Sequence, residues 1–339
     1  MTFERMHEQH PSGSPNAEAG PRAAARDGAP PLFSIITPSL NRADLIADAV
    51  ESVRIQDGVT LEHIVVDGGS TDGTLDVLSR YPELRVLSGP DRGLYDAINR
   101  GLAVARGAVI GHLNTDDVLL PGALAAVARV LAAAPEADAA CGGALVTTLG
   151  PDGRPRELCR YDDPAMKRLR PVDLCRGVPM INARFFRRRL YDRVGGYDPA
   201  YRYAGDRDFL LRAWVAGMTT APVPERVYAY RQHAGSLTIA GNLRRTVPWL
   251  DEHLRLARRI MDDPASPPAL RGEAHAWHAL ETGRAAVQAL TGARLGEAAR
   301  LALQGAAADP AWPVRILAQT AGYCLRRLGR AKDHSAGPS

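Results

Sequence analysis

Ala108-Val109-Ile110-Gly111-His112-Leu113-Asn114-Thr115-Asp116-Asp117-Val118 reads as a short apolar strand that ends in two adjacent carboxylates. A helix-forming stretch, Pro121 to Ala134, follows at once. A short bounded apolar run is the pattern of a strand buried on both faces. Two neighbouring Asp side chains at its carboxyl end repel each other and lose hydration, which is costly unless a positive charge sits between them. Hard oxygen ligands of that kind suit a divalent cation carrying a diphosphate. Asp is equally a favoured helix N-cap. Taken alone, the pair is divided between a cap and a metal site, and the flanking sequence has to decide.

Upstream, Leu32-Phe33-Ser34-Ile35-Ile36-Thr37 predicts a first buried strand, stopped by Pro38, which cannot donate to a ladder. Asn41-Arg42 leads into a helix with Leu45, Ile46, Ala49, Val50 and Val53 at helical spacing. Leu61 to Asp67 is a second strand, running into Asp67-Gly68-Gly69-Ser70-Thr71-Asp72-Gly73 and a helix with Leu75, Val77 and Leu78. Thr71 or Asp72 is placed to cap that helix. The turn lacks the Gly-x-Gly-x-x-Gly spacing of a dinucleotide site. An Asp at a strand tip instead suits hydrogen bonds from a base N–H or a ribose hydroxyl. Leu84 to Leu87 is a third strand, followed by Ser88-Gly89-Pro90-Asp91-Arg92-Gly93 and a helix with Leu94, Ile98 and Leu102 on one face, Asp96 in its first turn and Gly107 beyond its end.

Four strand–helix units in about 100 residues imply an α/β fold with a doubly wound, mostly parallel sheet flanked by helices. Ligands bind such sheets at the carboxyl ends of strands, where strand order switches. Thr37, Asp67, Gly89 and the Asp116-Asp117 pair all fall at such ends, so they converge on one crevice. That convergence favours the metal reading of the pair.

Downstream the pattern loosens. Cys141 to Thr148 reads as a strand weakened by Gly142-Gly143, and the stretch from Gly150 to Pro179 as a turn and irregular chain. Phe185 to Val194 reads as a helix whose Arg187, Arg188 and Arg189 form a solvated face. In Tyr203 to Trp214, Asp206 and Asp208 lie on different sides of a helix, so one can face the crevice while the other pairs with Arg212 or caps. Val227 to Arg231 is strand-like and leads to Gln232-His233. From Asn242 the chain turns helical: Trp249 to Met261, then a hairpin of Glu273 to Leu290 and Gly296 to Ala307. Trp312 to Arg330 is an amphipathic helix with Arg326, Arg327 and Arg330 at its end. It either packs on the hairpin or lies on an anionic membrane surface.

The bulk numbers set bounds. The chain has 339 residues, enough for one large domain and an appendage, and a net charge of only +4. Its basic residues are interspersed and are nearly all Arg, with Lys at 167 and 332 alone, which gives no footprint for nucleic acid. The four cysteines, Cys141, Cys159, Cys175 and Cys324, form no Cys-x-x-Cys pair, which argues against zinc and suits reduced thiols in a cytoplasmic protein. No apolar run is long enough for a membrane span and no secretory signal opens the chain. The expected organisation is a disordered segment over 1–31, a main domain over 32–240, a helical region over 241–330 and a disordered tail over 331–339.

Four ordered motifs carry a resemblance: Phe33 to Arg42, Asp67-Gly-Gly-Ser-Thr-Asp-Gly73, Pro90-Asp-Arg-Gly-Leu-Tyr-Asp-Ala-Ile-Asn-Arg-Gly101 and Asn114-Thr-Asp-Asp-Val-Leu-Leu-Pro-Gly122. Together they resemble family 2 glycosyltransferases of the GT-A fold, especially bacterial enzymes of exopolysaccharide synthesis, over roughly residues 32–238. The resemblance implies an inverting, metal-dependent transfer of a sugar from a nucleotide-diphosphate donor, by default UDP with GDP and dTDP open, to a glycan or polyprenyl-linked acceptor. It places Thr37, Ser39 and Asp67 on the nucleoside, Arg92 and Gly93 near the nucleotide, Asp116 toward ribose or sugar, and Asp117 on Mg2+ or Mn2+. Asp206 matches the catalytic base, with Asp208 still open as the alternative, and His233 completes the metal or phosphate site. Two departures stand out. Gly205 replaces the Glu of the usual Glu-Asp pair, and Ile181-Asn182 stands where relatives carry His-Gln. A non-catalytic nucleotide-sugar-binding subunit is the competing reading. A nucleotidyltransferase is disfavoured because Thr37 to Arg42 holds neither Gly nor Lys.

Overall fold

The computed structural model describes residues 30–150, 154–178, 180–232 and 249–314. Its strands are β1 (Phe33–Ser39), β2 (Leu61–Asp67), β3 (Arg85–Ser88), β4 (Val109–His112), β5 (Val118–Leu119), β6 (Ala139–Leu149), β7 (Pro155–Tyr161), β8 (Arg184–Arg187) and β9 (Thr220–Gln232). They form one nine-stranded sheet in the order β3-β2-β1-β4-β8-β6-β9-β5, with β7 beside β6. The first four strands are mutually parallel. β8 opposes both β4 and β6, so β6 runs with β4, and β9 runs with β6. Only β5, β7 and β8 run against the common direction. The sheet is mostly parallel, as the strand–helix alternation implies.

β1 decides how the layers form. Alternate strand side chains point to opposite faces. Phe33 and Ile35 enter one core cluster with Ala49, Val53, Leu124 and Val127, from the helices Ile46–Arg54 and Ala123–Ala133. Ile36 enters another with Ile64, Val66, Ile110 and Ala97 of the helix Leu94–Val104. Strand order turns between β1 and β4, because β2 and β3 lie on one side of β1 and β4 on the other. The register places Ser39 level with Asp67, and Asp67 level with Ser88.

Pro38 does not stop β1; it pairs with Val66 inside the strand. The Ile36 carbonyl accepts from Leu113 on the β4 side, and the Ser39 carbonyl from Gly68 on the β2 side. By that alternation the Pro38 nitrogen faces the side where β4 has already ended, so no ladder bond is lost. As expected of Gly142-Gly143, the pairing of β6 with β9 shifts register there. A Cβ at Gly142 would collide with the Val227 side chain, so glycine is what lets β6 and β9 approach. The irregular stretch contains β7, whose exposed Arg, Glu and Leu side chains give no alternating pattern.

The Arg run is also different from expectation. β8 ends at Arg187, and the helix Arg188–Val194 begins after it. Arg187 donates to the Leu131 and Ala137 carbonyls, and Arg188 to those of Ala105 and Gly107. These oxygens lie at or just beyond the carboxyl ends of two helices, where carbonyls lack helical partners and the dipole favours cations. Arg189 and Arg193 both reach the buried Asp138, which also accepts from the Thr219 amide.

The molecule divides into two compact units. Residues 175–177 and 242 onward belong to the second. Its described helices are Leu250–Asp262, Pro268–Thr291 and Leu295–Ala308, packed through Leu250, Leu254, Ala285, Ala286, Ala289, Ala298 and Leu301. Gly305 is small because the Trp312 indole lies on it, and that indole donates to the Thr282 hydroxyl at 2.7 Å. The basic portion of the expected amphipathic helix, the 1–29 segment and the 331–339 tail lie outside the described residues. No helix among the described residues is long and apolar enough to cross a membrane. Cys141, Cys159 and Cys175 form no disulfide.

Burial pushes the Asp138 carboxyl up, but Arg193, the Thr219 amide and Arg189 outweigh it and hold it below the ordinary carboxylate value. Its contribution is therefore fully present above the unfolded value and lost as pH falls through the folded one. Asp138→Asn is expected to lower unfolding free energy by about 1–3 kcal/mol at neutral pH. In urea titrations the gap to wild type should narrow as the pH falls below the ordinary carboxylate range and through the lowered folded value.

Candidate functional site

The acid pair follows β4 in a loop held from several sides. The Asp117 amide donates to the Asn114 carbonyl at 3.2 Å, closing a turn. Asp117 is only 4% exposed. Its Oδ2 accepts from the Tyr228 phenol at 2.8 Å and the Asn114 amide at 3.1 Å, and its Oδ1 accepts from the Arg231 backbone amide at 2.9 Å. Arg231 also reaches sideways. Its Nε donates to the Asp116 carbonyl at 2.6 Å, and its terminal nitrogen pairs with Asp48 at 2.5 Å.

Asp48 starts a row that steps along the helix Ile46–Arg54 and just past its end. Ser52 Oγ accepts from the Leu119 amide at 3.1 Å. Gln56 donates to the Leu120 carbonyl at 3.0 Å and accepts from the Leu124 amide at 3.1 Å. Positions 48, 52 and 56 share one helical face, so one row of polar side chains fixes the chain that follows the acids.

Burial pushes the Asp117 carboxyl up to about 7, and the charge of neighbouring Asp116 adds to the rise, against the bonds from Arg231, Tyr228 and Asn114. Asp116 is half-buried at the crevice. A cation beside the pair would reverse the rise, because opposite charge favours the ionised form.

The β1 and β2 ends form the second wall. Asp67 is fully buried. Its carboxylate accepts from the Gly69 and Ser70 amides, both at 3.0 Å, and from the Ser88 hydroxyl at 3.1 Å; the Ser70 hydroxyl completes the set. Asp67 thus shapes its own loop. Asp72 accepts from the Thr74 amide and hydroxyl just ahead of the helix Thr74–Leu78, whose N-cap is Gly73, and from the Ala43 amide. Asn41 ties the same loops together through Ser70 and Thr71. The Thr37 hydroxyl is 2.9 Å from His63 Nε2. Ser39 Oγ is buried with no hydrogen-bond partner. Arg92 is exposed and paired with Asp96 at 2.7 Å. Gly93, at φ +115°, donates to Asp91 at 2.8 Å and opens the helix Leu94–Val104 in a backbone conformation that favours glycine.

The two acids of the helix Gly205–Val215 separate cleanly. Asp208 is 1% exposed and pairs with Arg212 at 2.9 Å, while Arg212 also holds the Val194 and Gly196 carbonyls. Asp206 is half-buried, and its Oδ1 accepts from the Arg207 amide at 2.7 Å and lies 3.4 Å from the Tyr95 hydroxyl. The Tyr230 phenol is raised by burial, then by the charge of Asp117, with weaker contributions from Cys141 and Asp206. His233 lies outside the described residues. A separate cleft of about 570 Å³, lined by Asn99, Tyr191, Tyr197 and Arg212 among others, contains none of the expected site residues.

Residues 34–195 match the model of Glycosyl transferase family 2. A PGL/p-HBAD biosynthesis glycosyltransferase of Mycobacterium bovis is 32% identical over 192 residues, covering 55% of this chain and 71% of its own length. The chain belongs to glycosyl transferase family 2. An uncharacterized glycosyltransferase of Mycobacterium tuberculosis is 34% identical over 187 residues, covering 54% of this family 2 chain and 69% of its own. Solved structures share the fold. The mannosyltransferase PcManGT of Pyrobaculum calidifontis, in complex with GDP-Man and Mn2+, superposes with a TM-score of 0.56 at 21% identity, over 90% of this chain and 84% of its own. S. aureus TarS 1-349 in complex with UDP-GlcNAc gives 0.55 at 18% identity, over 74% and 72%.

Tyr95, Asn114, Tyr228, Arg231 and Asp48 carry the geometry of this glycosyltransferase but were not singled out by sequence. Asp48 stands one turn after Asp44 on an amphipathic helix and gives no local signal; only the fold brings it to Arg231. Asp208→Asn is expected to remove about 1–3 kcal/mol of stability. Nucleoside diphosphate affinity, read by calorimetric titration, should stay at the wild-type value.

Proposed function

We propose that the protein is an inverting, metal-dependent glycosyltransferase that moves a sugar from a nucleoside diphosphate donor to an acceptor hydroxyl. The observation that carries this reading is the Asp116-Asp117 pair just past the carboxyl end of β4, with Asp117 buried and held by Tyr228, Asn114 and the Arg231 amide beside the half-buried Asp116. Residues 32–240 are proposed as the transferase domain and 241–330 as its helical appendage.

The acids suit a Mg2+ or Mn2+ ion. Two adjacent carboxylates are hard donors, and Asp117 Oδ1 accepts one hydrogen bond where a carboxylate oxygen can take two. Among the described residues no three His, Cys, Asp or Glu side chains form a ready metal cage. Mg2+ and Mn2+ are commonly held by one or two carboxylates together with substrate phosphates. When bound, the cation would stabilise negative charge on the departing diphosphate. Asp117 and Asp116 are proposed to hold it, with Asp116 also toward ribose or sugar and His233 as a further ligand.

Ser39, buried with an unsatisfied hydroxyl beside Asp67, is proposed to meet the nucleoside. Thr37 and Asp67 set that wall from behind, and Arg92 and Gly93 flank the nucleotide. Asp206 takes the proton of the acceptor hydroxyl as that oxygen attacks the anomeric carbon. The nucleoside diphosphate leaves from the opposite face, so one displacement inverts the centre. A positioned base of this kind contributes on the order of 10²–10⁴-fold. Asp208 is assigned to structure, because its charge is committed to Arg212.

UDP is the preferred nucleotide, with GDP and dTDP as alternatives. The acceptor is proposed to be a glycan or a polyprenyl-linked hydroxyl in cell-surface polysaccharide synthesis, met at the cytoplasmic face of the membrane. A melting screen of UDP-, GDP- and dTDP-sugars with Mn2+ should single out one nucleotide, since a ligand at about 100 times its Kd stabilises by about 2.7 kcal/mol. With that donor, Asp206→Asn is expected to bind as wild type and to lose turnover by about 10²-fold or more. Near-normal turnover in the variant would refute Asp206 as the base.

A further inference from the structure

Gly205, where the family resemblance leads one to expect Glu, has a physical reason on the opposite helix. A Cβ at position 205 would stand 2.6 Å from the Tyr95 ring, inside any permitted contact. Tyr95 is itself buried in the first turn of the helix Leu94–Val104, two residues after Gly93. Its single phenolic proton faces two acceptors, the Tyr203 carbonyl at 3.1 Å and Asp206 Oδ1 at 3.4 Å. Both belong to the start of the helix that carries the base. The second distance is long, and catalytic hydrogen bonds in ligand-free enzymes commonly shorten in the reactive complex.

The same helix grips the approach to the base a second time. One turn after Tyr95, Asn99 donates to the Tyr197 carbonyl at 2.6 Å and accepts from the Tyr197 amide at 2.9 Å. Gly196 is small for that reason, since a Cβ there would be 2.5 Å from Asn99 Oδ1. The Tyr197 ring then stacks on Tyr95, 5.7 Å between centroids and 13° from parallel. Ring, amide and hydroxyl therefore fasten the segment 196–206 to one helical face, and that helix begins at the Arg92-Gly93 end of the crevice.

We propose that Tyr95 is a positioning residue for Asp206: its hydroxyl aims the carboxylate, and its ring occupies the space vacated by the missing side chain at position 205. The proposal rests on the reading of Asp206 as the base. It makes the glycine a fitted partner of Tyr95 and links the donor end of the helix to the acceptor end of the reaction. A misplacement of about 1 Å at a reacting group can cost about 10²-fold in rate, so a hydroxyl that fixes the carboxylate is worth retaining even at a long resting distance.

The test is steady-state release of UDP from UDP-glucose, or of GDP from GDP-mannose, in Mn2+ buffer, using whichever donor raises the melting temperature. Tyr95→Phe keeps the ring and the stack. It is expected to lower kcat about 10-fold with donor KM unchanged. Gly205→Ala should lower kcat further, and in a Tyr95→Ala background the same alanine should cost nothing more, since the two changes share one contact. A structural role alone would lower the melting temperature and leave kcat in place. If Asp206→Asn is inactive while Tyr95→Phe keeps wild-type kcat, the positioning role is overturned. If Asp206→Asn is itself as active as wild type, the reading of the base fails instead.

Discussion

A carboxylate buried beside a second carboxylate is the constraint around which this glycosyltransferase is arranged. Asp117 is nearly inaccessible and is raised by burial and by Asp116. Left alone, such a group would protonate or expel itself from the interior. Three donors hold it instead, from Tyr228, Asn114 and Arg231. None of them is a full positive charge on the carboxylate itself, because the Arg231 guanidinium is directed to the Asp116 carbonyl and to Asp48. The site is therefore fixed in shape while its charge stays under-compensated, which is the state a cation-bearing diphosphate would relieve.

The sheet makes that arrangement possible. β4 ends at His112, and β9 returns alongside β5 so that Tyr228 and Arg231 reach the acids from the far side of the chain. The helix Ile46–Arg54, with Gln56 just beyond it, holds the loop from the other side through Asp48, Ser52 and Gln56. Asp206 comes from a third region and is steadied by the helix Leu94–Val104. Asp116 and Asp117 thus sit on a short loop whose ends are anchored in buried elements, the arrangement that keeps loop residues in place for chemistry, while Asp206 stands in the first turn of its helix.

The parallel half of the fold was legible in sequence because each strand there is short, apolar and followed by a helix with clear stop signals. β2 was read to the residue. Parallel strands present their carboxyl ends together, so the alternation alone set Thr37, Asp67 and the acid pair at neighbouring strand ends of β1, β2 and β4. The antiparallel half was less so. β7 is exposed and β8 is four residues long, so neither carries a period that a local reading can detect. Arg187 and Arg188 looked solvated because a charged run carries no record of the carbonyls it meets in the fold. Asp206 and Asp208 could be separated in principle by helix geometry but only the Arg212 contact decides between them. Asp67 was read as open to a ligand, yet it is fully buried and its Oδ2 is filled by the Gly69 and Ser70 amides and by Ser88 of β3, a consequence of a turn too tight to foresee from Gly-Gly-Ser alone.

The most direct measurement is Mn2+ uptake followed by electron paramagnetic resonance as free Mn2+ disappears, with UDP, GDP or dTDP present. Wild type is expected to bind one ion per chain only with a nucleoside diphosphate, and the Asp116→Asn, Asp117→Asn double variant to bind none. Uptake by the double variant equal to wild type, or no uptake by wild type with any of the three nucleotides, would contradict the assignment of the acid pair as the metal site.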